Sequence, residues 1–357
     1  MDKNKILQAL SRVKDPLSGR GIVEQNLIKS LTIEAPNVHL VLQTGDLNPE
    51  MKNQLNFSAI GAIQEIYPEA NVNLHLVVAD SSTKTKYPHL KNIIAVASGK
   101  GGVGKSTVSV NLAIALKAQG YSVGILDADV YGPSIPIMLG LKGQKPMIQD
   151  VHGRPVMVPL VGHGIPVMSL GFIIEPEQAV VLRGPKLSTI VKQFFDECLW
   201  PELDYLIVDL PPGTGDVQLT LVQTAPVTGV VMVTTPQDVA VADALKGMNM
   251  FRLDSVNVPI LGVIENMSWF SPEELPDNKY FIFGQGGGEK LAKMGGTELL
   301  GQIPIVMSIR EGGDAGMPAA LTDAMRAPFD ALASRLTKSV EDRVTSKAPT
   351  SVVNITT

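Results

Sequence analysis

Gly99-Lys100-Gly101-Gly102-Val103-Gly104-Lys105-Ser106-Thr107 is the stretch on which the reading of this chain turns. It fits the phosphate-binding pattern G-x-x-x-x-G-K-[ST], with Gly99 and Gly104 as the framing glycines. Its flanks are the ones the pattern requires. Upstream, Asn92-Ile93-Ile94-Ala95-Val96-Ala97 is a short apolar run rich in β-branched residues, as in a buried parallel strand. Downstream, Val108, Leu112, Ala115 and Leu116 recur at helical spacing as far as Gln119, and Gly120 supplies the stop. Without Cβ atoms, Gly99, Gly101, Gly102 and Gly104 let the backbone N–H groups of the loop, through Val103 to Thr107, close around phosphates. The helix that follows adds the positive end of its dipole. Lys105 is the charge for the β- and γ-phosphates, and the Ser106 hydroxyl is a ligand for Mg²⁺. A nucleoside triphosphate site is expected here.

The bulk properties are compatible with such a protein. The chain has 357 residues, room for two domains. Lys+Arg is 30 and Asp+Glu is 35, a net charge of −5, which argues against a dominant nucleic-acid footprint. Cys198 is the single cysteine, so no intrachain disulfide is available. It sits in Val191 to Trp200, an amphipathic helical pattern with no flanking cation, and is expected to be a packing residue. Met1 to Val13 has no apolar signal-like core, and no run of about 18 apolar residues occurs. A soluble, cytoplasmic protein without a membrane partner is the expectation.

Residues 1–79 read as a separate unit. Ile6, Leu7, Leu10 and Val13 share one helical face, and Leu27 to Glu34 and Val38 to Thr44 read as strands around Ala35-Pro36-Asn37. Pro49 to Ile66 is helical by pattern, and Asn71 to Val78 alternates as a half-buried strand. The order α-β-β-α-β predicts a small α+β domain, with His39 and His75 as strand residues. Residues 80–91, with Ser81-Ser82-Thr83-Lys84-Thr85-Lys86, are polar and read as a linker.

From Asn92 to about residue 340, strands and helices alternate, as in a mainly parallel sheet covered by helices. Strands are expected at Ser122–Leu126, Tyr205–Asp209, Gly229–Val233, Ile260–Ile264 and Gly301–Ile305. Val151-His152-Gly153-Arg154-Pro155 reads as a hairpin turn in an insertion. Ala319 to Leu336 reads as a closing helix and residues 341–357 as a tail. In such a sheet, ligands bind at the carboxyl ends of the strands. Asp209 follows four apolar strand residues, the position of a carboxylate that holds Mg²⁺ through water. Asp127 and Asp129 end the neighbouring strand. Asn266 lies just past the Ile260–Ile264 strand, and its amide can serve an adenine edge as both donor and acceptor.

These segments carry a family resemblance. Lys100-Gly101-Gly102-Val103-Gly104-Lys105-Ser106-Thr107 resembles the deviant loop of the MinD, ParA and nitrogenase iron-protein ATPases. In those families the extra lysine reaches the partner's nucleotide across a dimer, a role the resemblance assigns to Lys100. Asp209-Leu210-Pro211-Pro212-Gly213-Thr214-Gly215-Asp216 resembles switch II of the Mrp/ApbC branch. Asp127 to Ser134, Arg183-Gly184-Pro185 and Glu265-Asn266-Met267-Ser268 match the same branch. The resemblance implies a P-loop ATPase fold over residues 92–340. It implies that Asp129 positions the attacking water and that Asp127 stands in the Mg²⁺ shell. Asn266 would contact the base, with Ile303-Pro304-Ile305 packed on the ring. The first 79 residues look like the MIP18-type domain that precedes such ATPases.

The family's Cys-x-x-Cys is missing. After Asn266-Met267-Ser268 the chain continues Trp269-Phe270-Ser271-Pro272-Glu273-Glu274-Leu275-Pro276-Asp277. The downstream Phe283-Gly284-Gln285-Gly286-Gly287-Gly288-Glu289 is intact. Two functions follow. One is a homodimeric, Mg²⁺-dependent ATPase that assembles iron–sulfur clusters or transfers them to apoproteins. The other is a nucleotide-switched, partner-binding ATPase like MinD or ParA with no cluster of its own. Thiolates are the usual cluster ligands, so any cluster is expected to bind weakly or transiently.

Overall fold

The patterns of the first 78 residues settle into α1 (Lys3–Leu10), β1 (Ile28–Glu34), β2 (Asn37–Thr44), α2 (Pro49–Ile66) and β3 (Asn71–Val78). The computed structural model describes residues 1–16, 19–25, 27–34, 36–44, 47–78, 86–129, 132–151, 153–173, 184–346, 350 and 352. β1 pairs antiparallel with β2, and β2 parallel with β3. Alternation along β2 sends Val38, Leu40 and Leu42 into a core with Ile6, Leu10, Leu55 and Ile63. His39 and His75 fall on the exposed face. Asn48 caps α2 by accepting the Met51 N–H, and Pro49 opens the first turn, where no N–H is needed.

The chain divides into two compact units, Met1–Thr85 and Lys86–Thr357. Tyr87 and Leu90 are buried in the core of the second unit. Its first strand, β4, runs Leu90–Ser98. Of residues 86–91, read from their polarity as linker, Tyr87 and Leu90 are therefore core residues, while 80–85 lie outside the described residues.

The second unit continues with α3 (Lys105–Ala118), β5 (Val123–Asp127), α4 (Ile135–Met138) and a two-stranded insertion, β6 (Ile148–Val151) and β7 (Arg154–Met157). β8 (Leu160–Gly162), β9 (Ile165–Ser169), α5 (Gly184–Asp196), β10 (Leu203–Asp209) and α6 (Asp216–Thr224) follow. Then come β11 (Gly229–Thr234), α7 (Asp238–Arg252), β12 (Ile260–Glu265), α8 (Gly287–Met294) and β13 (Leu299–Gln302). α9 (Met307–Asp314) and α10 (Asp323–Ser346) close the unit. Among the described residues the main sheet has the order β13-β12-β11-β4-β10-β5-β9-β8. Its neighbours are parallel except β8, which is antiparallel to β9. Both faces are buried. Ile93, Ala95 and Ala97 of β4 enter one core cluster, while Ile94 and Val96 enter the other.

Several expectations change. β9 was not legible because Pro166 argues against an inner strand. Pairing with β5 starts only after it, at Val167. The last strand ends at Gln302, so Ile303-Pro304-Ile305 is its exit and not its body. The closing helix is interrupted: Ala319–Leu321 is a 3-10 turn, and α10 runs from Asp323 to Ser346, well into the stretch read as tail. α5 stops at Asp196, so Cys198 is not helical; it forms a parallel bridge with Met157. Val130, Tyr131, His152 and Arg183 lie outside the described residues.

Candidate functional site

The loop between β4 and α3 is shaped by two different uses of glycine. Gly102 and Gly104 take φ values of 82° and 80°, which side chains rarely adopt, and Gly104 caps α3. A Cβ on Gly104 would also overlap Asn266 Nδ2. Gly99 serves packing: a Cβ there would run into the backbone of Asp243 and Ala244 in α7. The result is a cavity of about 360 Å³ lined by Lys100, the loop from Gly101 to Thr107, Asp129, Ser134 and Pro212. The N-terminus of α3 opens into it.

The register of the central strands brings the acids together. β10 lies between β4 and β5, and Asp209 stands opposite Val96 on one side and Asp127 on the other. Asp209 is fully buried. Its Oδ2 accepts from Lys105 Nζ at 2.8 Å and from Ser106 Oγ at 2.6 Å, and its Oδ1 accepts from Ser109 Oγ at 2.6 Å. Lys105 also stands 3.4 Å from Asp129 Oδ2. Burial alone would depress the Lys105 pKa, but the Asp209 and Asp129 charges outweigh it and hold it above the ordinary value. For Lys105 to meet a phosphate and Ser106 a cation, both must exchange contacts with Asp209.

Asp127 is placed differently from Asp129. It is fully buried and outside the cavity lining. Its Oδ2 accepts from Ser169 Oγ at 2.9 Å and its Oδ1 from the Asp129 N–H at 3.1 Å. Burial, and then the neighbouring charge of Asp209, push its pKa up to about 8. The Asp-x-Asp pair therefore divides, with Asp129 facing the cavity and Asp127 facing inward. Ser109 and Ser169 were missed by sequence reasoning. Ser109 could have been found, since it lies four residues after Lys105 and so on the same helical face. Ser169 carries no such signal.

Asn266 comes to one edge of the loop, and neither it nor Pro304 is part of the cavity lining. Asn266 Nδ2 donates to the Val103 carbonyl at 2.9 Å, so its amide braces the phosphate loop. The chain past Asn266 follows the exit of β13: the Ser268 N–H donates to the Ile303 carbonyl, and the Ile305 N–H to the Trp269 carbonyl. Buried Glu265 ties in the glycine motif, accepting the Gly288 N–H and the Gln302 side-chain amide. The segment after Asp209 is stitched to the strand beside it. The Leu210 and Gly213 N–H groups donate to the carbonyls of Val96 and Ser98. Gln218, from α6, donates to the carbonyls of Pro211 and Gly213.

Cys198 is buried, and burial raises its thiol to about 12, so it is a packing residue. Among the described residues no group of three or more His, Cys, Asp or Glu could hold a metal ion. No described helix is long and apolar enough to cross a membrane.

Comparison with known proteins gives two family matches. The model described as the NUBPL iron-transfer P-loop NTPase (ParA) matches residues 89–341. The model described as an iron–sulfur cluster assembly protein matches residues 3–74. An iron–sulfur cluster carrier protein of Synechocystis sp. is 42% identical over 349 residues, covering 96% of this chain and 98% of its own length. An Escherichia coli protein of the same name is 53% identical over 234 residues, covering 65% of this chain and 62% of its own. Among solved structures, a nucleotide-binding protein of Archaeoglobus fulgidus in complex with ADP is 36% identical, with a TM-score of 0.56. That match covers 65% of this chain and 89% of the other.

Proposed function

The chain belongs to the ParA-type iron-transfer P-loop NTPases, and on that premise we propose that it binds ATP with Mg²⁺ and hydrolyses it as a homodimer, driving iron–sulfur cluster assembly or transfer to apoproteins. The observation that carries the reading is the junction of Lys105, Ser106 and Asp209 at the mouth of the glycine loop. Its donors fit the ligand. The loop offers backbone N–H groups and a helix N-terminus to phosphate oxygens. The Ser106 hydroxyl is a hard oxygen ligand of the kind Mg²⁺ takes, and Asp209 would hold the ion through water. Bound there, Mg²⁺ would neutralise developing charge between the phosphates. Lys105 gives up its bond to Asp209 and meets the β- and γ-phosphates, and Asp129, beside it at the cavity wall, orients water. Lys100, on the cavity rim, acts on the nucleotide of the partner subunit. Asn266 holds Val103 in place and favours adenine at the base.

The cluster, as cargo, is not matched by donors of this chain. The single thiol is buried and hard to ionise. This favours a second reading, in which the protein is a nucleotide-driven partner and the client or a small thiol lends the thiolates. Partners are thus apoprotein clients or assembly proteins, with no role for nucleic acid or membrane.

ATP turnover of the parent and of Lys105→Ala tests the core of the reading. Loss of the cation should lower hydrolysis by about a hundredfold or more while the far-ultraviolet circular dichroism is kept. Unchanged turnover in the variant would refute the assignment.

A further inference from the structure

The pairing of β5 with β9 sets Ser169 directly opposite Asp127. Ser169 is fully buried. Its Oγ accepts the Gly171 N–H at 3.0 Å and donates to Asp127 Oδ2 at 2.9 Å. The accepted bond fixes the hydroxyl rotor, so its single proton is aimed at the carboxylate. Asp127 passes the constraint on through its other oxygen, which accepts the N–H of Asp129. A line of three groups thus runs from the end of β9, a strand that carries no recognised motif, to a residue lining the nucleotide cavity.

We propose that Ser169 is a positioning residue for nucleotide hydrolysis, acting through Asp127 to set the backbone at Asp129 and so aim the Asp129 carboxylate into the cavity. The role rests on the ATPase reading given above. Asp129 lies two residues past the end of β5, outside the strand's ladder with β10 and β9. Its amide is held instead by Asp127 Oδ1. A carboxylate held at both oxygens has one orientation. Released from Ser169, it can turn about its terminal torsion, which has broad minima. Asp129 would then lose its fixed amide partner while its contact with Lys105 and the loop itself stayed intact. The effect should fall on turnover, not on nucleotide binding.

The test uses the full chain as the parent, Ser169→Ala, Asp127→Asn and the double variant. Steady-state hydrolysis of Mg-ATP gives kcat and KM, titration with a fluorescent ADP gives affinity, and hydrogen–deuterium exchange reads the peptide containing the Asp129 amide. Loss of the buried hydrogen bond that orients the Asp127 carboxyl group should lower kcat of Ser169→Ala about tenfold or more. KM and ADP affinity should stay within about twofold of the parent. The Asp129 amide should exchange faster, and Ser169→Ala should cause no further loss in the Asp127→Asn background. An unchanged kcat, or an equal loss in that background, would overturn the proposal. Should Ser169→Ala lose its cooperative thermal transition, Ser169→Thr and Ser169→Val replace it, since they differ in the hydroxyl at nearly constant shape. Thr active and Val impaired supports the role; two equal variants overturn it. A parent that does not hydrolyse ATP refutes the ATPase reading alone, and the exchange of the Asp129 amide still decides whether Ser169 positions it.

Discussion

Asp127 and Asp209 are register partners on adjacent strands, both fully buried, with Lys105 the cation beside them. Two carboxylates so placed resist joint ionisation, and the strain falls on Asp127, whose pKa rises because of burial and the Asp209 charge. The consequence for stability has a definite sign. A raised native pKa means that the folded state holds the proton more tightly than the unfolded one. The resulting stabilisation is complete below the ordinary aspartate value and is lost as pH climbs to about 8. Asp127→Asn removes this titration. Between about pH 5 and about pH 8 the thermal stability of the variant should therefore improve relative to the parent, by at least about 1 kcal/mol. Calorimetry at the two pH values checks it, and parallel profiles would contradict it.

At the scale of elements, the site is a junction of strand ends held in common register. β4 leads into the loop, β10 ends at Asp209, β5 ends at Asp127, and β12 hands over to Asn266. Asn266 crosses from the end of β12 to the loop after β4, bonding the Val103 carbonyl. Asn266→Ala strands that carbonyl and opens space beside Gly104. Leaving a buried acceptor unpaired costs about 1–3 kcal/mol, so nucleotide affinity should fall about fivefold or more. If the amide also reads the base, the loss should be greater for ATP than for GTP, because adenine has a donor at N6 where guanine has an acceptor at O6. Calorimetric titration of both nucleotides distinguishes the two roles. Equal losses would leave Asn266 as a brace of the loop alone.

At the scale of the molecule, the composite site and the cargo make separate predictions. If Lys100 acts across a dimer, mixing Lys100→Ala with Asp129→Ala produces heterodimers with one unaltered site. Hydrolysis should recover on mixing, toward a quarter of the parent rate if subunits exchange at random (roughly, by counting sites). No recovery in demonstrated heterodimers would place Lys100 in its own subunit's site. For the cargo, a dimer supplies two copies of Cys198, both buried within the fold that offers them. Strictly anaerobic reconstitution should yield no cluster that survives desalting, in the parent or in Cys198→Ser. A stoichiometric cluster absorbance in either protein would overturn the account of the ligands.

Local chemistry written into consecutive residues was legible in the sequence. The loop from Gly99 to Thr107 stands out because its glycines, lysine and hydroxyls are close together in the chain, and the flanking periodicities declare the strand and helix on either side of it. Asp209 was legible for the same reason, as a charge ending an apolar run. The α-β-β-α-β order of the first unit followed from periods of two and 3.6, which each element carries in itself. Other features depended on residues far apart in the chain. Ser169 meets Asp127 only because β9 joins the sheet beside β5, and Pro166 hides that strand from pattern. Gly99 is required by the backbone of α7, not by phosphate, and Asn266 meets Val103 only once β12 lies two strands from β4. Asp127 and Asp129, alike as letters, were separated by the end of a strand: one side chain points into the sheet, the next but one into the cavity. Spacing along the chain supplies the groups, but which of them share a hydrogen bond, and which of them water reaches, depends on strand order and register.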